Sequence, residues 1–364
     1  MLLVRRTIQL FNAPWLRAAG VLFSTIVGAG MLSIPFVVAQ VGIVVGLFYI
    51  VGMGLIMCVV HLLLAELVIK TPHHLQLTGL MRKYLGPVGM WIMATVFFLL
   101  HVSAMIAYLI GEGDSLSVLF GGRPFAWAIL FFIFGTTIIL RGVRVITDFD
   151  AIMTIVTTVV IVVLIMLSVP SANLEFYAPK QLASLLLPYG VLLFAFHGTS
   201  AIPELEIITG RDPRALRLAV LVGSLVPIVL YVGFAAAVVA VTGVNTTEIA
   251  TIGLGAAVGP RVVLIGNIFA VVAMSSSFVT IGEALRRTFQ WDFGFKPNTA
   301  LAFAVGIPLI IYIVGARGFI SVIAIAGATC GTTEIFLLIC AYWKAHHHPI
   351  YEKNSDSRRR IRGR

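Results

Sequence analysis

A chain of 364 residues that is 60% hydrophobic and 11% charged, with a mean hydropathy of +1.05, is not a soluble globular protein; soluble domains carry about a quarter charged residues. Its apolar runs are too long for the alternating strands of a membrane barrel, which leaves an all-α polytopic membrane protein. The net charge of +10 does not point to nucleic acid, because the basic residues gather in loops on one side of the spans.

In chain order, ten spans are predicted. The first half holds roughly Trp15–Gln40, Ile43–Ile69, Val88–Ile110, Phe125–Leu140 and Ala151–Val169. The second half holds roughly Leu182–Ile208, Ala215–Thr242, Val262–Phe289, Thr299–Val314 and Phe319–Trp343. The loops are short and carry turn signals such as Thr71-Pro72, Gly86-Pro87, Asp212-Pro213 and Gly259-Pro260. Arg5 and Arg6 precede the first run, but no convincing cleavage site follows, so it does not read as a signal peptide. Cys58, Cys330 and Cys340 all fall within spans and offer neither a disulfide framework nor a zinc spacing.

Loop charges test the count. With the N-terminus inside, one face collects 21 of the 25 lysines and arginines, and the other holds only Arg123, Lys180, Arg261 and Arg317. An extra or missing span would scramble that asymmetry, so both termini are predicted to be cytoplasmic, in the cell membrane.

The first span contains Val27-Gly28-Ala29-Gly30-Met31-Leu32-Ser33-Ile34-Pro35, and the sixth contains Phe196-His197-Gly198-Thr199-Ser200-Ala201-Ile202-Pro203. Both read Gly, three residues, Ile, Pro. Lipid offers no hydrogen-bond partners, so broken backbone at that depth lines a cavity or binds something. Pro35 and Pro203 lie 168 residues apart, and the two Gly-Pro pairs before spans three and eight lie 173 apart. Five spans per half inverts the second half relative to the first, the pattern of inverted-repeat transporters. The domains are then 1–170 and 171–345, followed by a basic tail, 346–364. A plain bundle whose glycines only allow close packing would not explain the matched Ile-Pro pairs.

At the first break, Gly28 and Gly30 lower the cost of leaving helical geometry, Ser33 can cap the second half-helix, and Pro35 suits its first turn. The amides around Ala29 and Gly30 are then placed to hold a carboxylate. The carbonyls from Ser24 to Val27 attract a cation or an ammonium group. The sixth span repeats the arrangement, with Thr199 or Ser200 as the cap.

Gly28-Ala29-Gly30, Phe194-Ala195-Phe196-His197-Gly198 with Ile202-Pro203-Glu204, and Leu64-Ala65-Glu66-Leu67 resemble motifs of the amino acid/polyamine/organocation superfamily. The likeness is to its amino acid/auxin permease and hydroxy/aromatic amino acid permease branches. It implies a LeuT-type fold, helices one and six broken at mid-membrane, and sodium- or proton-coupled uptake of amino acids. By the same resemblance, the amides of Ala29, Gly30 and Met31 hold the substrate carboxylate and the carbonyls of Phe194 and Ala195 its amine. Sodium, the one cofactor considered, would sit between Ser276 and Ser277 and the carbonyls of Ser24 and Val27. Against this stands the reading that Ser275-Ser276-Ser277 simply bond their own helix or a neighbour. A lysine that some proton-coupled relatives carry in span five is absent; only Thr154, Thr157 and Thr158 stand there.

Ionisable groups within spans are functional candidates. His101, His197 and Glu334 lie at mid-depth, and His197, beside the break, could sense or carry a proton or simply be packed as a neutral ring. Glu66, Glu204, Glu206 and Glu283 lie toward cytoplasmic ends, as gate or anchor residues, with Glu66–Lys70 and Glu283–Arg286 or Arg287 at pairing distance along a helix. Tyr108 could reach the site from outside. The tail's Arg358-Arg359-Arg360 most simply enforces topology, and neither it nor His346-His347-His348 is assigned a role in transport. The expected activity is amino-acid import by alternating access, at a site that includes Gly198 and Thr199. The alternatives are the same fold carrying a polyamine, another organic amine or a nucleobase, or a non-transporting sensor or germinant receptor. No enzyme motif appears. The partners expected are a small amino acid and the lipid bilayer.

Overall fold

Every regular element among the described residues is helical. The computed structural model describes residues 13–141, 146–173, 185–291, 294–315 and 318–347, the side chains of 146–155 and 291 excepted. Arg5, Arg6, Arg144, Lys180, Arg317, the Thr154 side chain, the predicted start of span six at Leu182 and the tail from His348 onward lie outside the described residues.

The chain begins with α1 (Pro14–Ile26), a 3₁₀ turn over Ala29–Ser33, and α2 (Ile34–Val41), which is bent 47° from α1. There follow α3 (Ile43–Lys70), α4 (Leu77–Phe120), α5 (Pro124–Arg141) and α6 (Ile146–Ser168). Next come α7 (Leu187–Ala195), a 3₁₀ turn over Thr199–Ala201, α8 (Ile202–Ile208) and α9 (Pro213–Thr242). The chain continues with α10 (Ala250–Val258), α11 (Pro260–Trp291), α12 (Pro297–Val314) and α13 (Phe319–Ala326). A π turn, Gly327–Gly331, leads into α14 (Thr332–His347). Among the described residues, eight helices are long and apolar enough to cross a membrane, with Leu187–Ile208 taken as one, and nine if the bent α1–α2 pair is a span. The apolar stretch Val156–Ser171 is shorter. Large apolar side chains such as Phe48, Val229 and Phe336 face outward, as a lipid-solvated protein requires.

The helices differ from the predicted spans where backbone chemistry lets a helix resume after a corner. Span three was expected to start at Val88, yet α4 begins at Leu77 and turns at Gly86, whose φ of 81° only glycine adopts cheaply. Pro87 then opens the long segment, since a first-turn residue needs no N–H donor. Gly259, at φ 128°, plays the same part between α10 and Pro260. The last span is divided by the π turn, and His346 and His347 belong to α14 rather than to a separate tail.

The helix that leads into the second break, α7, is held on several sides. It lies against α13 and the π turn, while α9 covers α1 and α3, and α11 runs along α4. The α7 contact is backbone to backbone. A Cβ added to Gly190 would stand 2.1 Å from the Ala324 carbonyl oxygen, and one on Gly327 would stand 1.9 Å from the Gly190 carbonyl oxygen. Two glycines therefore let the final span press directly on the helix that leads into the second break, as small residues do at membrane helix crossings.

Candidate functional site

Each interruption closes a helix with one last four-residue bond and then a tighter one. At the first, the Val27 N–H bonds the Phe23 carbonyl (2.7 Å) and the Gly28 N–H bonds the Ile26 carbonyl (2.9 Å), closing α1. At the second, the Phe196 N–H bonds Leu192 O (2.9 Å) and the His197 N–H bonds Phe194 O (3.2 Å), closing α7. A short 3₁₀ turn follows in both, and Ile34-Pro35 and Ile202-Pro203 start the next helices.

The two interruptions touch. A Cβ on Gly30 would lie 3.0 Å from Ala195 Cα and 3.3 Å from Phe194 Cδ1, and one on Gly28 would lie 3.2 Å from Ser277 Oγ. Neither Gly28 nor Gly30 has a positive φ. What a side chain at either position would cost is therefore space rather than a left-handed backbone. The expected caps are corrected. Ser33 Oγ donates to the Gly30 carbonyl (2.6 Å) within its own turn, Thr199 Oγ1 donates to Glu334, and neither α2 nor α8 has a side-chain cap. Both turns are too tight for a hydroxyl to reach back to the helix amides.

Tyr231 of α9 joins the two ends. Its hydroxyl lies 2.9 Å from the Ile26 carbonyl oxygen and 3.1 Å from that of Ala195, sharing one proton between the last carbonyls of α1 and α7. A tyrosine inside an apolar span carries no marker of such a role, and sequence reasoning missed it. Tyr231→Phe should lower stability by about 1 kcal/mol, measured as a drop in the thermal midpoint in detergent.

A cavity of about 400 Å³ opens beside this junction. Its wall includes Ser24, Val27, Gly28 and Gly30 from the first break, and Phe194, Ala195 and His197 from the second. Phe97, His101 and Tyr108 of α4, Thr157 of α6, and Ser276 and Ser277 of α11 complete it. The cavity runs on to Gln76, Glu204 and Arg287 at the end of the molecule where Lys70, Arg211 and Arg286 also lie. The size falls in the range of small-molecule sites.

Not every expected group reaches that wall. Ala29, Met31, Gly198 and Thr199 stand behind it, and the Met31 amide donates to Gly28 O (3.2 Å) inside the turn. The Phe194 and Ala195 carbonyls already accept from His197 N–H and Tyr231, and each keeps a second lone pair for a ligand. Ser275 points away and donates to Glu112 Oε1 (2.8 Å), a fully buried carboxylate that the sequence reading passed over. It also passed over His61, whose Nδ1 lies 3.0 Å from Ser224 Oγ.

The carboxylates toward the basic end are mostly engaged in ion pairs. Glu66 meets Lys70 (3.4 Å) and His346 (3.1 Å), and Glu283 meets Arg286 (2.8 Å) and Arg287 (2.9 Å), as helical spacing predicts. Glu206 is 1% exposed and meets the Arg211 Nε and His74 Nδ1, each at 3.0 Å. Glu204 faces the cavity's mouth.

Residues 13–348 match the tryptophan/tyrosine permease family. The chain belongs to that family. This permease is 25% identical over 338 residues to Glutamine transporter 2 of Aliivibrio fischeri, covering 88% of this chain and 86% of that one. It is also 25% identical over 365 residues to Tyrosine-specific transport system 1 of Haemophilus influenzae, with the same two coverages. Among solved structures, it superimposes on MhsT in complex with L-phenylalanine with a TM-score of 0.63, at 17% identity, over 89% of this chain and 87% of that one. The permease therefore has a LeuT-type fold and is an integral membrane amino acid transporter rather than an enzyme.

Proposed function

We propose that this permease imports an amino acid across the cell membrane by alternating access, driven by a sodium or proton gradient. The observation that carries the reading is the contact of the two interruptions, Gly30 against Ala195, at one cavity. The spans number ten, five in residues 1–170 and five inverted in 171–345, with α1–α2 and α7–α8 as broken helices and both termini in the cytoplasm. The repeated order of turn, Ile-Pro and Gly-Pro corner supports this division.

In this arrangement the amide of Gly30, in the turn leading into α2, holds the substrate carboxylate, since Gly30 reaches the cavity wall and Ala29 does not. Carbonyls ending α1 and α7, with Phe194 and Ala195 foremost, take its ammonium group. Where sodium is the driving ion, Ser24, Val27, Ser276 and Ser277 are the all-oxygen set that would hold it; the approach of Ser277 to Gly28 supports that grouping. Glu66, Glu206 and Glu283 act in the cytoplasmic gate through their ion pairs, and Glu204 stands at its mouth. The cavity's extension to the basic end fits a protomer open to the cytoplasm.

Uptake into proteoliposomes under imposed sodium or proton gradients tests the reading. Radiolabelled tryptophan, tyrosine, phenylalanine and glutamine are the first panel, and saturable accumulation of at least one is expected. Binding without accumulation under every gradient would make the protein a sensor instead.

A further inference from the structure

Behind the cavity wall, the second interruption is fastened to the last span by three polar side chains. His197, 14% exposed and lining the cavity, places Nε2 3.0 Å from Glu334 Oε2 and 3.0 Å from Thr199 Oγ1. Thr199 Oγ1 donates to the other oxygen of Glu334, which is 3% exposed. With Glu334 ionised, both of its oxygens only accept, so Nε2 carries the hydrogen that reaches it. That leaves His197 Nδ1 as the atom at which the ring gains or loses its second proton. Glu334 projects from the start of α14, just after the π turn whose Gly327 presses on Gly190 of α7. One carboxylate thus ties the break to the element already packed against its helix.

Other titratable groups face the pair from neighbouring elements. The His101 ring of α4 stands edge-on to His197 at 6.5 Å, with its own Nδ1–H donating to the Phe97 carbonyl (2.7 Å). His61 of α3 and Cys330 of the π turn lie within electrostatic reach. Intramembrane groups of this kind are costly unless they are paired or carry a function.

Resting on the transporter reading above, we infer that His197 and Glu334 form the seat of a co-transported proton and that Glu334 is the residue through which the second interruption senses it. A proton arriving from the water of the cavity binds His197 Nδ1 and makes an imidazolium–carboxylate pair with Glu334. When it leaves, the ring is neutral and Glu334 is a buried carboxylate without its counter-charge. Breaking a buried pair in this way is costly, which drives the break and α14 to a different relative position. Since Phe194 and Ala195 end the same helix, that shift reaches the carbonyls assigned to the substrate amine.

The test is substrate-evoked proton entry into proteoliposomes, read by a pH dye in the lumen, with the pH dependence of substrate affinity measured alongside. For the wild type, addition of the transported amino acid should acidify the lumen. In Glu334→Gln the acidification should be lost and the pH dependence of affinity should flatten. Acidification or a wild-type pH profile surviving in Glu334→Gln would overturn the assignment, as would wild-type accumulation on a sodium gradient without proton movement. If Glu334→Gln does not fold, Glu334→Asp serves: proton entry should persist with a displaced pH profile, and an undisplaced profile would overturn the inference. Failure of the transporter reading itself looks different, because the wild type would then accumulate none of the panel under any gradient.

Discussion

Replacing Gly30 with leucine should abolish amino-acid binding while leaving the protein folded in detergent. Gly30 of the first interruption faces Phe194 and Ala195 of the second so closely that a Cβ at position 30 would stand 3.0 Å from Ala195 Cα and 3.3 Å from its Cβ. A leucine has three further carbons to place there. It would force the two breaks apart and fill the volume beside the amide assigned to the carboxylate. Relief is available by moving the short turns, so the fold should survive. Gly30→Ala supplies the graded version: its methyl group demands a shift of a few tenths of an ångström, and affinity should fall by about tenfold. Equilibrium binding of radiolabelled substrate, with thermal melting as the folding control, decides it. Unchanged affinity in folded Gly30→Leu would remove the substrate from this junction.

Arg211→Ala should destabilise the permease by about 3 kcal/mol, because it leaves Glu206 a buried charge with only a half-exposed histidine beside it. Arg211 is unusual in its backbone, with φ 64° outside glycine, and the Gly210 before it is also left-handed. The two residues turn the chain sharply after α8. From that corner the guanidinium reaches Glu206 and also donates to the carbonyls of Ile69 (3.2 Å) and Thr71 (2.5 Å) at the end of α3. One side chain therefore fastens the end of the second broken helix to a neighbouring span. Thermal unfolding in detergent should show the loss, and adding Glu206→Gln should recover much of it by removing the stranded charge. A melting midpoint equal to the wild type in Arg211→Ala would show that the contact carries no stability.

Much of this architecture was legible in the chain because lipid is a demanding solvent. An apolar run must be a helix there, and a Gly/Pro interruption must serve something, so Gly28–Pro35 and Gly198–Pro203 announced themselves. Glu66–Lys70 and Glu283–Arg287 were legible for a simpler reason, since residues four apart on a helix are neighbours. The capping hydroxyls were misread because capping is inferred from residue type, whereas Ser33 and Thr199 answer to closer partners, one in its own turn and one 135 positions away.

By itself the sequence determined the class of the protein, its family and the two places where its spans are interrupted, because each depends on local composition and short-range geometry. Only the tertiary structure decided what meets at those places. Tyr231 bridging Ile26 and Ala195, Glu334 holding His197 and Thr199, and Arg211 reaching the carbonyls of Ile69 and Thr71 all depend on how helices distant in sequence are set against one another. A hydrogen bond is satisfied by whatever group lies within 3 Å, and sequence spacing predicts that neighbour only inside a single helix.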